Sequence, residues 1–128
     1  MKTDTTKTDF DHWLAAQFAE TGPFTLFILL IRIDQRDAVP LKSSYAHLIG
    51  AETSWTEMRR LLDSARTPWD GAAFFVGLGQ AGGPLPDEAA ARRLKDVEAD
   101  VANDRLALNR GRFFDREGRQ LRIDEVAA

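Results

Sequence analysis

Cysteine is absent from this sequence of 128 residues, and histidine occurs only at His12 and His47. Without cysteine the chain can form no disulfide, no thiolate metal site, no iron–sulfur cluster and no cysteine nucleophile. The two histidines are far apart in sequence and match no metal-ligand spacing. We therefore expect no metal and no cofactor, and we favour a non-enzymatic protein over an enzyme.

The sequence also lacks a long hydrophobic run. Its most apolar segment, Phe24–Ile33, has about ten residues and includes Arg32, whereas a membrane-spanning helix needs about twenty. The first residues are polar and do not have the arrangement of a secretory signal. We predict a flexible polar tail at residues 1–8, a cytoplasmic location and no membrane partner.

Composition and charge are those of an ordinary globular domain. Hydrophobic residues make up 44% of the chain and charged residues 29%, which is enough apolar surface for a core. The length matches one domain, which we place at residues 9–126. The formal net charge of −3 disfavours general binding to nucleic acid or to anionic membranes.

Hydrophobic periodicity predicts the elements of the first half. Apolar residues recur at helical spacing after Thr8, at Phe10, Trp13, Leu14 and Phe18. Phe24–Ile33 suits a strand that is covered on both faces, with a buried helix as the alternative. A short helix is predicted over residues 43–49, ended by Gly50. Ser54 and Glu57 have the spacing of a capping box and begin a helix that ends near Thr67.

The second half is predicted to hold a strand, a helix and a hairpin. Residues 72–76 form an apolar run that indicates a buried strand. A helix begins at Asp87 and is expected to continue to Asn109 or Gly111. Residues 112–115 and 119–124 flank a turn that is typical of a β-hairpin.

This order of elements predicts an α+β fold, or a small α/β fold. We expect a mixed sheet of about four strands that ends in the C-terminal hairpin and is packed by three to four helices. If the two apolar strands are neighbours, the long helical crossover between them would make them parallel.

A glycine-rich string, G-x-G-x-x-G, follows the second predicted strand. It contains Gly77, Gly79 and Gly82, and Gly83 comes next. In dinucleotide-binding folds such glycines bring backbone N–H groups close to a pyrophosphate at a helix N-terminus. Here prolines at 84 and 86 delay the helix, so a plain loop is the favoured interpretation and a small-ligand or nucleotide site is the alternative.

The predicted hairpin is rich in arginine. Arg112, Arg116 and Arg122 are expected on its outer face, where they would either bind a partner or keep the edge soluble. Trp69 lies in a predicted turn and would either cover the core or contact a partner.

We therefore expect a binding or regulatory domain that acts on another macromolecule, with protein preferred to nucleic acid as the partner. A small-ligand or nucleotide domain that uses the Gly77–Gly83 loop is the first alternative. A nucleic-acid-binding module that uses the arginine hairpin is the second alternative. Arg92 and Arg93 are assigned to a solvated face of mixed charge, because Asp96 and Asp100 lie on the same helix.

Overall fold

The structure, a computed structural model, describes residues 7–35, 37–50 and 53–123. Three α-helices span Asp9–Thr21 (α1), Trp55–Asp63 (α2) and Asp87–Asn103 (α3), and a 3₁₀ helix spans Arg105–Arg110. Five strands span Phe24–Ile33 (β1), Ala38–Leu48 (β2), Gly71–Gly77 (β3), Arg112–Asp115 (β4) and Gln120–Leu121 (β5). The α+β class and the C-terminal hairpin are confirmed.

The strands form one sheet in the order β2-β1-β3-β4-β5, and every neighbouring pair is antiparallel. The expectation that the two apolar strands would be parallel neighbours is wrong. They are neighbours, as β1 and β3, but Leu29 pairs with Ala73 in an antiparallel register. The reason is that β2 lies between them in the chain, so the direction reverses before α2 leads into β3.

One face of the sheet packs against α1 and α2. The residues of β1 alternate in direction, and Leu26, Ile28 and Leu30 enter this face. Phe10 of α1 and Trp55 of α2 are both buried here, and their ring centroids are 5.1 Å apart. This aromatic cluster forms the larger part of the core, because aromatic side chains bury the most apolar area per residue.

The opposite face packs against α3 and the 3₁₀ helix. Leu29 and Ile31 of β1 meet Val97 and Val101 of α3 in a second buried cluster. Because both faces are covered, nearly the whole of β1 is apolar, and its prediction as a strand is confirmed.

The short helix predicted over residues 43–49 is wrong, because this segment belongs to strand β2. Asp34 and Asp37 close a tight turn by exchanging backbone hydrogen bonds of 2.8 and 3.4 Å, and β2 then pairs along β1. The strand lies at the edge of the sheet and is half-exposed, so its hydrophobic alternation is weak.

The prediction that α3 continues to Asn109 or Gly111 is also wrong, since α3 ends at Asn103. The Asp104 backbone is extended, and its carboxylate accepts a hydrogen bond of 3.0 Å from the Leu106 N–H. It thereby caps the 3₁₀ helix. Leu108 is buried from this tighter helix, which is why the apolar spacing resembled one long helix.

Thr8 does not belong to a tail. Its hydroxyl accepts a hydrogen bond of 3.1 Å from the Asp11 N–H, and the Asp11 carboxylate accepts one of 2.9 Å from the Thr8 N–H. This capping box begins α1. The rest of the predicted tail, residues 1–6, and the predicted end of the domain, residues 124–126, lie outside the described residues.

Candidate functional site

The hairpin arginines do not share one environment. Arg112 begins β4 and is exposed, and Arg122 follows β5 and is also exposed. Arg116 lies in the turn but is only partly exposed, which differs from the expected position at an open tip. The three side chains therefore do not form a single outward-facing set.

Arg116 packs inward over Trp69, with its guanidinium carbon 4.3 Å from the ring centroid. The guanidinium also donates hydrogen bonds of 3.0 Å to the Trp69 carbonyl and 3.1 Å to the Asp63 carboxylate. Trp69 itself is 2% exposed. Of its two interpretations, the structure supports the one in which the ring covers the core, and Arg116 fixes the turn against α2.

In the glycine loop, Gly77–Gly83, two backbone N–H groups bond to carbonyls of the loop itself. The Gly79 N–H bonds to the Gly83 carbonyl at 2.9 Å, and the Gly82 N–H bonds to the Gly79 carbonyl at 3.0 Å. Gly82 and Gly83 have φ values of 86° and 78°, a conformation that glycine adopts without strain. Because α3 begins only at Asp87, these N–H groups are not arranged to hold a phosphate at a helix N-terminus.

A buried hydroxyl ties the end of this loop to the sheet. Thr25 is completely buried, and its hydroxyl oxygen accepts a hydrogen bond of 2.8 Å from the Leu85 N–H. His47 Nδ1 lies 2.9 Å from the same oxygen, and His47 Nε2 lies 2.7 Å from the Asp87 carboxylate. The carboxylate can only accept, so the His47 Nε2–H donates to it, and the Nδ1 atom of the same ring shares a hydrogen bond with the Thr25 hydroxyl.

This Thr25–His47–Asp87 chain resembles a nucleophile, a base and an acid in order, but its hydroxyl is not accessible. Thr25 lies beneath the loop and its side chain has no exposed surface, so no substrate can approach the oxygen. The hydrogen bond from His47 is the main cause that lowers the pKa of the Asp87 carboxyl below its usual range. The chain of contacts fixes the first turn of α3 against β2.

A concave site lies where β3 loses its outer neighbour. Strand β4 pairs with β3 only from Gly71 to Phe74, so Phe75 and Val76 have no strand partner on that side within the described part of the chain. The Phe74 carbonyl faces Gly111 so closely that a Cβ on Gly111 would overlap it. Backbone groups of alternate strand residues point to the same side, and the Val76 N–H and C=O therefore face this open edge.

A cleft of about 430 Å³ surrounds the open edge, within the size range of ligand sites. Trp13 and Gln17 of α1 border it on one face of the sheet, and α3 borders it on the other. The half-exposed rings of Trp13 and Phe75 supply apolar surface. We call this site the edge cleft.

Three arginines from different elements line the edge cleft: Arg93 of α3, Arg110 of the 3₁₀ helix and Arg112 of β4. Arg110 lies 4.0 Å from the Asp100 carboxylate. Within residues 7–35, 37–50 and 53–123, neither Arg93 nor Arg112 forms an ion pair. The Asp96 carboxylate also lines the site, so the cleft has both charge signs with cations in excess.

Sequence reasoning identified Arg112 but placed it on a hairpin surface rather than in a cleft. It assigned Arg93 to a solvated face, and the structure brings these two side chains to one site although they are far apart in sequence. The end of α3 at Asn103 creates this proximity, because the 3₁₀ helix that follows turns Arg110 and Arg112 back toward α3. The only local sign of this helix end in the sequence is Asp104, a charged residue that interrupts the apolar face of the predicted helix.

Among the residues that the structure describes, no group of three or more potential ligands is arranged to hold a metal ion. No helix in this part of the chain combines the length and apolarity needed to cross a membrane. Comparisons of the chain with protein-family models, with curated proteins and with solved structures give no match.

Proposed function

We propose that this chain is a non-enzymatic binding domain whose edge cleft holds a short acidic segment of a partner protein. The observation that carries the proposal is the convergence of Arg93, Arg110 and Arg112 on one cleft at an open strand edge. A guanidinium binds a carboxylate through two parallel hydrogen bonds, which gives both affinity and orientation. Arg93 and Arg112 are available for such bonds, because neither has a carboxylate partner among the described residues.

The open edge supplies a backbone contribution to binding. An extended segment beside Val76 would add to β3 where β4 stops, and it would form main-chain hydrogen bonds of the kind seen in β-strand addition. Only Phe75 to Gly77 lie beyond the β4 pairing, so the segment that fits is about two to three residues long. Its neighbouring side chains would contact the Trp13 and Phe75 rings.

Charge favours a peptide over a nucleic acid. Asp96 and Asp100 line the edge cleft together with the arginines, and they would repel the continuous row of phosphates of a nucleic acid. A peptide presents carboxylates at separate positions and also has N–H donors, so both charge signs of the cleft are used. A cytoplasmic protein is the partner that we propose, in agreement with the lack of cysteine.

The test is a titration followed by amide NMR. The probe is an acetylated, amidated tetrapeptide of alternating glutamate and valine, and the control is the same peptide with lysine in place of glutamate. We expect saturable shifts at Val76 and Gly111 with the glutamate peptide only. The Arg93→Ala/Arg112→Ala variant is expected to weaken binding at least ~10-fold, since two charge-assisted hydrogen-bonded contacts are removed.

Arg92→Ala is the matched control. Arg92 directly precedes Arg93 in α3 and is exposed, but it does not line the cleft. This variant should bind the glutamate peptide as well as the unmodified protein does. Equal binding of the glutamate and lysine peptides, or equal loss in Arg92→Ala and in the double variant, would contradict an arginine-lined site. Shifts confined to Gly77–Gly83 would instead favour the glycine loop.

A further inference from the structure

The outer edge of β2 has open backbone groups. The Ile31 carbonyl accepts a hydrogen bond of 2.8 Å from the Asp70 N–H, so the backbone of Ile31 faces β3. Backbone groups alternate in direction along a strand, and the even-numbered residues of β1 therefore bond to β2. Their partners include Ser44 opposite Ile28 and Ala46 opposite Leu26.

It follows that the backbone groups of Ser43, Tyr45 and His47 point away from β1, to the outer edge. Within the described residues, no hydrogen bond is formed by the N–H or C=O of these three residues. The edge is thus a row of six open groups at regular spacing.

The features that usually protect an edge strand lie outside this row. Pro40 and the irregular register near Leu30 are in the first half of β2. The six residues from Ser43 to Leu48 include no Lys, Arg, Asp or Glu and no proline. Lys42 is the nearest charged residue that could prevent pairing at this edge. Its ammonium group instead donates a hydrogen bond of 3.1 Å to the Ala65 carbonyl.

The side chains of Ser43, Tyr45 and His47 form hydrogen bonds to residues of α3. The Ser43 hydroxyl donates to the Glu98 carboxylate. Tyr45 and His47 both bond to Asp87, at 3.3 and 2.7 Å. None of these side chains therefore stands across the edge, and the backbone is accessible to another strand.

Exposed apolar surface borders the same edge. A groove of about 320 Å³ runs between β2 and α2, lined mainly by apolar atoms. Leu61 lies at this groove and is 53% exposed, whereas Met58 and Leu62 of the same helix are buried. A strand added beside β2 would lie next to Leu61 and would remove its side chain from water.

We propose that a second copy of this chain occupies the edge, through antiparallel pairing of the two β2 strands about a two-fold axis at Tyr45. The pairing is self-complementary: Tyr45 faces its own copy, and Ser43 of each protomer faces His47 of the other. An antiparallel hydrogen-bonded pair exchanges two bonds, so the three pairs form about six hydrogen bonds and satisfy the whole row. Two-fold symmetry closes the assembly, and the sheet becomes continuous across both protomers.

The symmetric side-chain composition of the row, which contains no Lys, Arg, Asp or Glu, is the reason to choose a second copy over an unrelated strand. Positions 43, 45 and 47 are symmetric about Tyr45, and the opposing side chains on the α2 face are Ser44 with Ala46. The two Tyr45 side chains face each other across the axis, and no Lys, Arg, Asp or Glu lies among the opposed positions 43–47. Leu61 of each protomer then covers the β2 strand of the other.

The experiment measures the molar mass by light scattering and sedimentation from about 1 to 200 μM, the range in which a modest interface dissociates. The expected mass at high concentration is twice the 14.3 kDa of the chain. Tyr45→Pro removes an outward N–H while leaving the bonds to β1 intact, and it should raise the dimer dissociation constant at least ~10-fold. Tyr45→Ala loses the same contact to Asp87 but keeps the N–H, so it should remain a dimer.

Leu61→Glu is a second variant, which tests the groove without any change in the backbone. It should also raise the dissociation constant, whereas Leu106→Glu, at a residue that is 38% exposed on the 3₁₀ helix, should not. A monomeric unmodified protein at 200 μM would overturn the proposal. Dimers of unchanged strength in both Tyr45→Pro and Leu61→Glu would also overturn it, because the interface would then lie elsewhere.

Discussion

Trp55 is the residue at which the packing of the core is most directly tested. Its side chain is 5% exposed and packs against the Phe10 ring at 5.1 Å and the Trp69 ring at 6.3 Å. Its indole N–H donates a hydrogen bond of 2.9 Å to the Arg116 carbonyl. Trp55→Ala removes these contacts together, and we expect a loss of about 3–5 kcal/mol in the free energy of unfolding.

The hydrogen bond and the packing can be separated. Trp55→Phe keeps an aromatic ring but leaves the Arg116 carbonyl without its donor, so it should cost about 1–2 kcal/mol more than a purely apolar exchange. Arg60→Ala, at an exposed residue of the same helix that lies outside both proposed sites, is the control and should change stability by less than about 0.5 kcal/mol.

Urea unfolding followed by circular dichroism measures these differences. We expect an unchanged m value and a lower midpoint for Trp55→Ala, and a fall of about 10–20 °C in the thermal midpoint. A loss below about 1 kcal/mol would refute the reasoning, because it would mean that the ring does not fill the space between α1, α2 and the hairpin turn.

Three further outcomes are expected. NAD, ATP and GTP at millimolar concentration should leave the amide signals of Gly77–Gly83 unmoved in NMR spectra, because the Gly79 and Gly82 N–H groups bond within the loop and α3 begins only at Asp87; saturable shifts there would favour the nucleotide hypothesis. Arg116→Glu should lower the thermal midpoint clearly more than Arg112→Glu does, since only Arg116 packs on Trp69, and equal effects would contradict this difference. Burial would raise the pKa of Asp11, but hydrogen bonds from Thr8 and the Trp55 N–H outweigh it and hold this pKa below its usual value. Asp11 therefore stabilises the fold above its unfolded-state pKa, and this contribution is lost as the pH falls through its lower native pKa. Asp11→Asn should reduce the loss of unfolding free energy between neutral and acidic pH. An unchanged pH dependence in this variant would contradict the role given to Asp11.

The sequence predicted the elements that have strong, uninterrupted patterns. The capping box at Ser54 and Glu57 begins α2 as expected, and β1 and β3 are the predicted apolar strands. These signals are local, because a cap or a buried strand is specified by adjacent residues. The failures, at β2 and at the end of α3, occur where tertiary contacts decide the structure.

The candidate site could not be predicted for a similar reason. The edge cleft exists because β4 is too short to cover β3 beyond Phe74, and strand length in a pairing is not encoded by either strand alone. Arg93 has the local environment of any solvated helical residue, and only the fold places it near Arg112. Arg112 is the one arginine of the cleft that the sequence analysis names as a candidate partner contact, because it lies in an arginine-rich segment.

The contacts between α1 and the hairpin also constrain how the chain folds during synthesis. The Asp9 carboxylate accepts a hydrogen bond of 2.8 Å from the Gln120 N–H, and the Phe10 N–H bonds to the Gly118 carbonyl at 3.1 Å. Because synthesis proceeds from the N-terminus, α1 is made first but its partners in the hairpin are made more than a hundred residues later. The aromatic cluster beneath α1 is therefore completed only after Phe114, whose ring lies 5.5 Å from that of Phe10, has been synthesised. A chain that ends before Phe114 would lack this ring and both hydrogen bonds, and its Phe10 side chain would be less covered.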